Sequence, residues 1–155
     1  MHPVYPPYRT RYLPAMTRDE IEMLPGKHAA VVILPIGAIE QHGPHLPVGT
    51  DAVLAQAWLT AIMDGLPARI PAYVAPAIAY GKSVEHQGFP GTVSLSTAIL
   101  RRTLLATAGQ LLEWGFKTLA VLNTHGGNSS VIVSTLREIQ TTLDMNAGML
   151  RPPMN

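Results

Sequence analysis

LPIGAIEQHGPHLPVGTDAVLAQAW, residues 34–58, decides the fold of this 155-residue chain, because it joins a predicted buried strand to a predicted helix. Residues 29–36 are a continuous apolar run with several β-branched side chains, and such a run predicts a strand buried on both faces. Thr50 or Asp51 can cap the helix that follows, which we expect to continue to about Met63. A strand joined to a helix in this way is the repeating unit of an α/β protein.

The loop inside this stretch carries four side chains of the kinds that bind metal ions, namely Glu40, His42, His45 and Asp51. Its glycines and prolines keep it out of regular structure, so it can turn carboxylates and imidazoles toward one point. Glu40 and His42 are two residues apart, which places both on one side of an extended backbone. We expect His45 to serve the turn rather than to coordinate. The alternative for Glu40, His42 and Asp51 is a polar loop whose side chains cap the helix and hydrogen-bond the backbone.

A second junction of the same kind lies at His125, which follows a predicted buried strand over residues 117–123. In open parallel sheets, ligands bind beyond the carboxyl ends of the strands. The two loops should therefore face each other and bring four candidate metal ligands together: Glu40, His42, Asp51 and His125. The alternatives for the glycine-rich turn after His125 are helix entry and anion binding at a helix N-terminus.

The order strand, loop, helix occurs three times, which predicts a mainly parallel sheet with right-handed crossovers. The other predicted elements are a strand over residues 72–79 and helices over residues 96–114 and 128–143. A capping-box pattern from Thr17 predicts a short helix near the N-terminus. The segment AGMLRPPMN, from Ala147 onward, is interpreted as a strand that leaves the last helix.

The loop after the second strand, residues 80–95, adds Glu85 and His86 to the same sheet edge. We interpret both as candidate catalytic residues that contact substrate or assist proton transfer. The alternative is that they order the loop. The loops that follow helices are short, so we expect function at the carboxyl edge of the sheet.

Composition narrows the classes of protein that are possible. With 47% hydrophobic residues and a formal net charge of +1, we expect a single domain over residues 1–155, with residues 1–14 as an extended N-terminal arm. The chain has no Lys/Arg run, which argues against nucleic-acid and membrane partners and favours a small-molecule substrate. It has no cysteine, which excludes thiolate ligands and a cysteine nucleophile. No signal-like or membrane-spanning apolar run occurs, so we expect a cytoplasmic protein.

Three motifs, IEQHGPHLPVGTD, YGKSVEHQGFPGT and NTHGGN, together resemble the creatininase family of metal-dependent amidohydrolases in order and approximate spacing. The resemblance runs from about residue 30 to residue 128. It implies a three-layer α/β/α fold, commonly assembled as a hexamer. It also implies two divalent metal ions in the complete site and hydrolysis of a cyclic amide or formamide-type C–N bond by metal-activated water. Oxygen and imidazole ligands suit Zn, Mn or Fe(II).

Residue by residue, the resemblance implies that Glu40, Asp51 and His125 bind one metal, and that His42 and the bridging Asp51 bind the second. Creatininase proper has a fifth ligand, a glutamate, where this chain has Gly127, and many relatives take a glutamate from a later HAGE-type segment. We therefore expect the fold to be apparently truncated at its C-terminus, with an open sheet edge that favours association with another chain. The alternative functions are a catalytically incomplete fragment or assembly subunit with a partial metal site, and a single-metal sugar or nucleotide hydrolase.

Overall fold

The computed structural model describes residues 5–150 and contains a parallel sheet of four strands in the order β2-β1-β3-β4. The strands are β1 (Val31–Ile36), β2 (Ala72–Val74), β3 (Thr118–Asn123) and β4 (Asn146–Leu150). β1 pairs in parallel with both β2 and β3, so it lies in the interior of the sheet. This confirms the predicted parallel sheet.

In the described part of the chain, four α-helices accompany the sheet: α1 (Arg18–Glu22), α2 (Thr50–Gly65), α3 (Thr97–Glu113) and α4 (Ser129–Thr142). The predicted capping box of α1 is present, since Glu20 N–H donates to the Thr17 hydroxyl and Thr17 N–H donates to the Glu20 carboxylate. Among residues 5–150, no helix combines the length and the apolar composition that crossing a bilayer requires.

The helices cover both faces of the sheet, and the alternation of side chains along β1 shows how. Val32, Leu34 and Ile36 pack in the larger core cluster with apolar residues of α3 and α4. Ile33, on the opposite face, packs in a second cluster with Leu59 of α2. The three-layer α/β/α arrangement implied by the family resemblance is therefore confirmed.

The second strand is shorter than predicted, because residues 72–79 pair as a strand only from Ala72 to Val74. Pro35, on the neighbouring strand β1, has no N–H to donate to this ladder, and its carbonyl accepts from Ile78 N–H. Pairing resumes only as an isolated bridge at Ile78. The proline in β1 thus interrupts the ladder.

The predicted capping role of Thr50 and Asp51 is wrong. Helix α2 begins at Thr50, its N-cap is Gly49, and no side chain caps it. Asp51 is therefore inside the first turn, and its carboxylate is buried. That places a negative group at the positive end of the helix dipole, at the edge of the sheet where β1 and β3 end.

Residues 5–14 fold onto the domain through two short 3-10 turns, at Arg9–Arg11 and Leu13–Ala15. Tyr8 and Leu13 are buried in the two core clusters. Tyr12 forms an isolated parallel bridge with Val74 of the edge strand β2. This segment therefore extends the cover of the sheet beside β2.

Candidate metal centre

The four predicted ligands meet at the carboxyl edge of the sheet. Glu40 and His42 come from the loop after β1, Asp51 from the first turn of α2, and His125 from the residue pair that follows β3. Glu40, Asp51 and His125 are all buried, and His42 is partly exposed. The parallel arrangement of β1 and β3 brings these separate segments together, as the topology predicts.

The two carboxylates lie between the two imidazoles. His125 Nδ1 lies 3.2 Å from Glu40 Oε1 and 3.1 Å from Asp51 Oδ2. His42 Nε2 lies 3.3 Å from Asp51 Oδ1 and 3.8 Å from Glu40 Oε1. Glu40, His42 and Asp51 each offer one ligand atom within 4.8 Å of the others, and His125 adjoins both carboxylates. Asp51 uses different oxygens toward the two imidazoles, Oδ1 toward His42 and Oδ2 toward His125.

Each imidazole is oriented by a backbone carbonyl on its far side. His42 Nδ1 lies 3.0 Å from the carbonyl of Glu40, and His125 Nε2 lies 3.0 Å from the carbonyl of Lys82. A carbonyl oxygen only accepts hydrogen bonds, so these outer nitrogens are the ones that carry protons in both contacts. The inner nitrogens are then free to offer lone pairs to a cation, which is how metal-binding histidines are usually held.

The buried carboxylates show directly that the site fits a cation. Glu40 Oε2 and Asp51 Oδ2 are buried and have no hydrogen-bond partner among the described residues. His125 Nδ1 lies 3.1 Å from Asp51 Oδ2 and donates to it only when that nitrogen carries a proton. Buried charges without partners are strongly unfavourable unless they are paired or coordinate a metal. Two carboxylates and two imidazoles suit Zn, Mn or Fe(II).

The protonation of His125 responds to the same charges. Burial alone lowers the pKa of His125, but the approach of Asp51, the Lys82 carbonyl and the charge of Glu40 outweigh burial and raise this pKa above its ordinary value. Without a metal ion, a proton therefore stabilises the cluster. A divalent cation would compete with that proton for the same nitrogen.

The loop after β2 brings both predicted catalytic residues to the rim of the site. His86 Nε2 lies 3.7 Å from Glu40 Oε1. Glu85 Oε1 lies 3.8 Å from His125 Nε2, beside the outer nitrogen, and 44% of its side chain is exposed. His45 is exposed and is not part of the ligand cluster.

Three further residues of the site were not predicted to have a role there, although Ser83 lies in the same loop as Glu85 and His86. Gln41 Nε2 lies 2.7 Å from His86 Nδ1 and donates to it. Ser83 is fully buried, and its hydroxyl lies 3.4 Å from His125 Nε2. Asn128, also fully buried, bonds to the loops that follow β1 and β2. Only their position within the ligand motifs could have drawn attention to them.

Comparison with known proteins agrees with this geometry. A mycofactocin precursor peptide peptidase from Mycolicibacterium smegmatis is 43% identical over 108 residues, which cover 68% of this chain and 43% of that protein. A creatinine amidohydrolase from Pseudomonas putida is 36% identical over 134 residues, or 81% of this chain and 50% of that protein. The solved structure of an Mn creatininase superposes with a TM-score of 0.76 at 32% identity.

The match to the family extends over most of the chain, while the relatives are longer. The superposition on the Mn creatininase covers 90% of this chain and 57% of the other. The chain thus spans about half the length of the curated relatives that it matches. Residues 14–153 match the family model described as creatinine amidohydrolase, and the chain belongs to the creatininase family.

Proposed function

We propose that this chain carries the metal-binding part of a hydrolase that cleaves a C–N amide bond with metal-activated water. The observation that carries the proposal is the pair of buried carboxylates, Glu40 and Asp51, each with an oxygen that has no partner among the described residues. Two imidazoles, His42 and His125, lie against these carboxylates. We propose that these four side chains are the metal ligands and that the complete site holds two divalent ions, Zn, Mn or Fe.

A bound ion and the residues of the chain would make different contributions to the reaction. A divalent ion supplies a Lewis acid that polarises an amide carbonyl and makes a nearby water more acidic. Glu40 and Asp51 would supply the negative charge that holds the ion. The Glu40 and Lys82 carbonyls keep the protons of His42 and His125 on the outer nitrogens, which would leave the inner nitrogens free to bind the ion.

His86 is placed to donate a hydrogen bond at the edge of this site. The side-chain amide of Gln41 donates to His86 Nδ1, and Gly43 N–H donates to the Gln41 oxygen, which fixes the amide orientation. The proton of neutral His86 is then on Nε2, the nitrogen nearest Glu40. We propose that this N–H donates a hydrogen bond to the substrate, that the attacking water supplies the proton taken up by the leaving nitrogen, and that the half-exposed Glu85 contacts the substrate.

The bond that is cleaved is proposed to be of the cyclic amide or formamide type, in a small-molecule substrate. Support comes from the Pseudomonas putida relative, which is named a creatinine amidohydrolase. A peptide bond is the second candidate, because the Mycolicibacterium smegmatis relative is named a peptide peptidase. Both bonds need the same polarised carbonyl and the same protonation of a leaving nitrogen, so the metal centre alone does not distinguish them.

A partial metal site in a fragment or assembly subunit is the alternative function, and the geometry at Gly127 favours it. A Cβ at this position would collide with the Lys82 carbonyl, Glu85 and His125. The fifth ligand implied by the family resemblance therefore cannot come from this position. Glu85 has its carboxylate beside the outer nitrogen of His125 and not between the ligands.

A homo-oligomer is proposed as the working form, a hexamer being what the family resemblance implies. The support is an apolar rim, which we define as the exposed side chains of Leu46, Val48, Val53, Tyr80, Val84, Phe89 and Val93. The two loops that carry most of these side chains adjoin, through the bridge of Ile39 with Val93 and the close approach of Gly91 to Val48. An exposed apolar patch of this kind marks an interaction surface.

Metal content tests the site directly. The protein is stripped with a chelator, loaded with Zn or Mn, freed of excess metal and analysed for elements. We expect bound metal in the wild type and little in an Asp51→Ala, His125→Ala double variant. His45→Ala is the matched control, because His45 is in the same loop but is exposed and outside the ligand cluster. Equal metal in the wild type and the double variant would refute the site.

Activity tests the reaction. Creatinine, a formamide and a short peptide are offered to the metal-loaded protein and to the chelator-treated protein. We expect turnover of an amide bond that the chelator abolishes and that Zn or Mn restores. Activity that resists chelation, or an acyl-enzyme trapped on a serine, would contradict the proposal. Metal binding without turnover of any amide would favour the partial-site alternative.

A further inference from the structure

We propose that Asn128 is a positioning residue, which fixes the orientation of His125 by holding the Lys82–Ser83 peptide against the outer imidazole nitrogen. The proposal rests on the metal site proposed above. Asn128 is fully buried, and a buried amide needs partners for both its oxygen and its nitrogen. Those partners show what the residue does.

The amide of Asn128 joins the loops that follow β1 and β2. Its Oδ1 accepts from Lys82 N–H at 2.8 Å, and its Nδ2 donates to the carbonyl of Gly37 at 2.9 Å. One partner is a donor and the other an acceptor, so the amide has only one orientation that satisfies both. Gly81 packs so closely that a Cβ there would lie 2.7 Å from Asn128 Oδ1 and 2.5 Å from the Gly37 carbonyl oxygen.

The anchored backbone is the part that orients His125. Asn128 holds the N–H of Lys82, and the Ser94 hydroxyl accepts from the N–H of Ser83 at 2.8 Å. The peptide between these two N–H groups is thereby fixed, with its carbonyl 3.0 Å from His125 Nε2. The imidazole cannot turn over without losing this hydrogen bond.

Fixing the outer nitrogen has a chemical consequence at the inner one. When Nε2 donates to the Lys82 carbonyl, His125 Nδ1 is the nitrogen that faces Glu40 and Asp51. Partners that hold the far nitrogen of a ligand histidine are commonly worth about 10- to 100-fold in metal affinity. Asn128 acts one step further out, through the backbone of Lys82.

Zinc affinity and the NMR signals of the His125 ring test this inference in the full chain. In the Zn-loaded wild type, we expect Nδ1 to show the shift of a metal-bound nitrogen. We expect the Nε2 proton to be visible and protected from exchange with solvent. Asn128→Ala should bind Zn about 10- to 100-fold more weakly and lose that protection.

Two further variants separate positioning from general destabilisation. Ser94→Ala removes the second anchor of the same peptide and should change Zn affinity and ring-proton exchange in the same direction, even if Asn128→Ala fails to fold. Thr135→Val is the matched control: Thr135 is fully buried in the helix that follows Asn128, and its hydroxyl bonds only within that helix. It should lower stability without changing either site readout.

The outcomes are distinct. Zn binding by the wild type together with undiminished affinity in Asn128→Ala, or Zn bound through Nε2, would overturn this inference and leave the proposed metal site standing. A wild type that binds no Zn would overturn the proposed site and this inference with it. Weakened binding in both Asn128→Ala and Ser94→Ala, with Thr135→Val unchanged, supports it.

Discussion

His125 shows how single residues at this site are adjusted to a cation. Its inner nitrogen faces two buried carboxylates at 3.1 and 3.2 Å, and its outer nitrogen faces a backbone carbonyl. A proton or a metal ion is needed at the inner nitrogen, because a bare lone pair would face two negative groups. In the absence of metal, the two carboxylates favour the protonated form of His125, and this contributes to raising its pKa above the ordinary value.

This leads to a prediction about pH. The raised pKa means that protonated His125 contributes stability below its unfolded pKa of about 6.5, and that this contribution is lost as pH rises through the higher folded value. In a chelator, the melting temperature should therefore fall as pH rises above about 6.5. With Zn it should rise over the same range, because fewer protons compete for the ligand.

Thermal unfolding in matched buffers measures the melting temperature as a function of pH, once with chelator and once with Zn, and a His125→Asn variant is the control. In this variant the melting temperature with chelator should vary less with pH, and the rise with pH in the presence of Zn should be lost. If the chelator curve of the wild type climbed through this range, the charge balance inferred for His125 would be wrong.

Position 127 needs a glycine because a side chain would not fit there. The backbone conformation does not require a glycine, since Gly127 is not among the glycines with positive φ. An added Cβ would overlap the Lys82 carbonyl, Glu85 and His125. We predict that Gly127→Ala lowers stability by about 1–3 kcal/mol, as overpacking does. It should also weaken Zn binding, because the colliding carbonyl is the one that orients His125.

The neighbouring glycine provides the control for this prediction. A Cβ at Gly126 has no heavy atom within 4 Å, so Gly126→Ala should leave Zn affinity unchanged. Chemical denaturation and Zn titration of the two variants give the comparison. Equal Zn affinity in both variants would show that the Lys82 carbonyl can move without cost to the site.

At the scale of elements, Thr124 joins the end of β3 to the start of α2. Its hydroxyl donates to the Asp51 carbonyl at 2.8 Å and lies 3.3 Å from the Ile36 carbonyl. We predict that Thr124→Val costs about 1 kcal/mol of stability. It should also weaken Zn binding, because the first turn of α2 carries Asp51.

Thr141→Val is the control for this element contact. Thr141 is exposed, and its hydroxyl bonds only within α4, so Zn affinity should not change. Isothermal titration with Zn compares the two variants. A Thr124→Val protein that binds Zn as the wild type does would mean that core packing alone positions α2.

The elements that sequence predicts well are those whose limits depend on local chemistry. The buried run of β3 and the serine-capped α3 lie within about a residue of their predicted limits. The predicted β2 is too long, because the end of this strand depends on a proline of the neighbouring strand β1. The predicted side-chain cap of α2 is also wrong, because Asp51 points into the site instead of capping the helix. In both cases a tertiary contact overrides a local preference.

At the scale of the whole molecule, the sequence alone predicts that the four candidate ligands lie close together, because parallel strands end at one edge of the sheet. The residues that orient these side chains could not be predicted from the sequence. Asn128, Gln41 and the Lys82 carbonyl act through contacts between segments more than 40 residues apart. A backbone carbonyl has no sequence signature. The candidate ligands are therefore predictable from residue types, and the contacts that orient them become visible only in the folded chain.

The apolar rim around the site belongs to the same scale. Val53 is 67% exposed although it lies on α2, and it therefore contributes little to the core of the protomer. If copies of the chain associate through this rim, a charge there must be desolvated on association, which is strongly unfavourable. We predict that a Leu46→Lys, Val53→Lys double variant lowers the molar mass in solution at fixed protein concentration without lowering the melting temperature of the protomer.

Met23 supplies the control for this last prediction, because it is the most exposed of the large apolar side chains in the described range, at 81%, but lies at the end of α1 and outside the rim. Met23→Lys should leave the molar mass unchanged, since a charge there stays in water in any assembly made through the rim. Light scattering coupled to size-exclusion chromatography measures all three proteins. If the double variant kept the mass of the wild type, association through the apolar rim would be excluded, and the open edge of β4 would be the surface to test next.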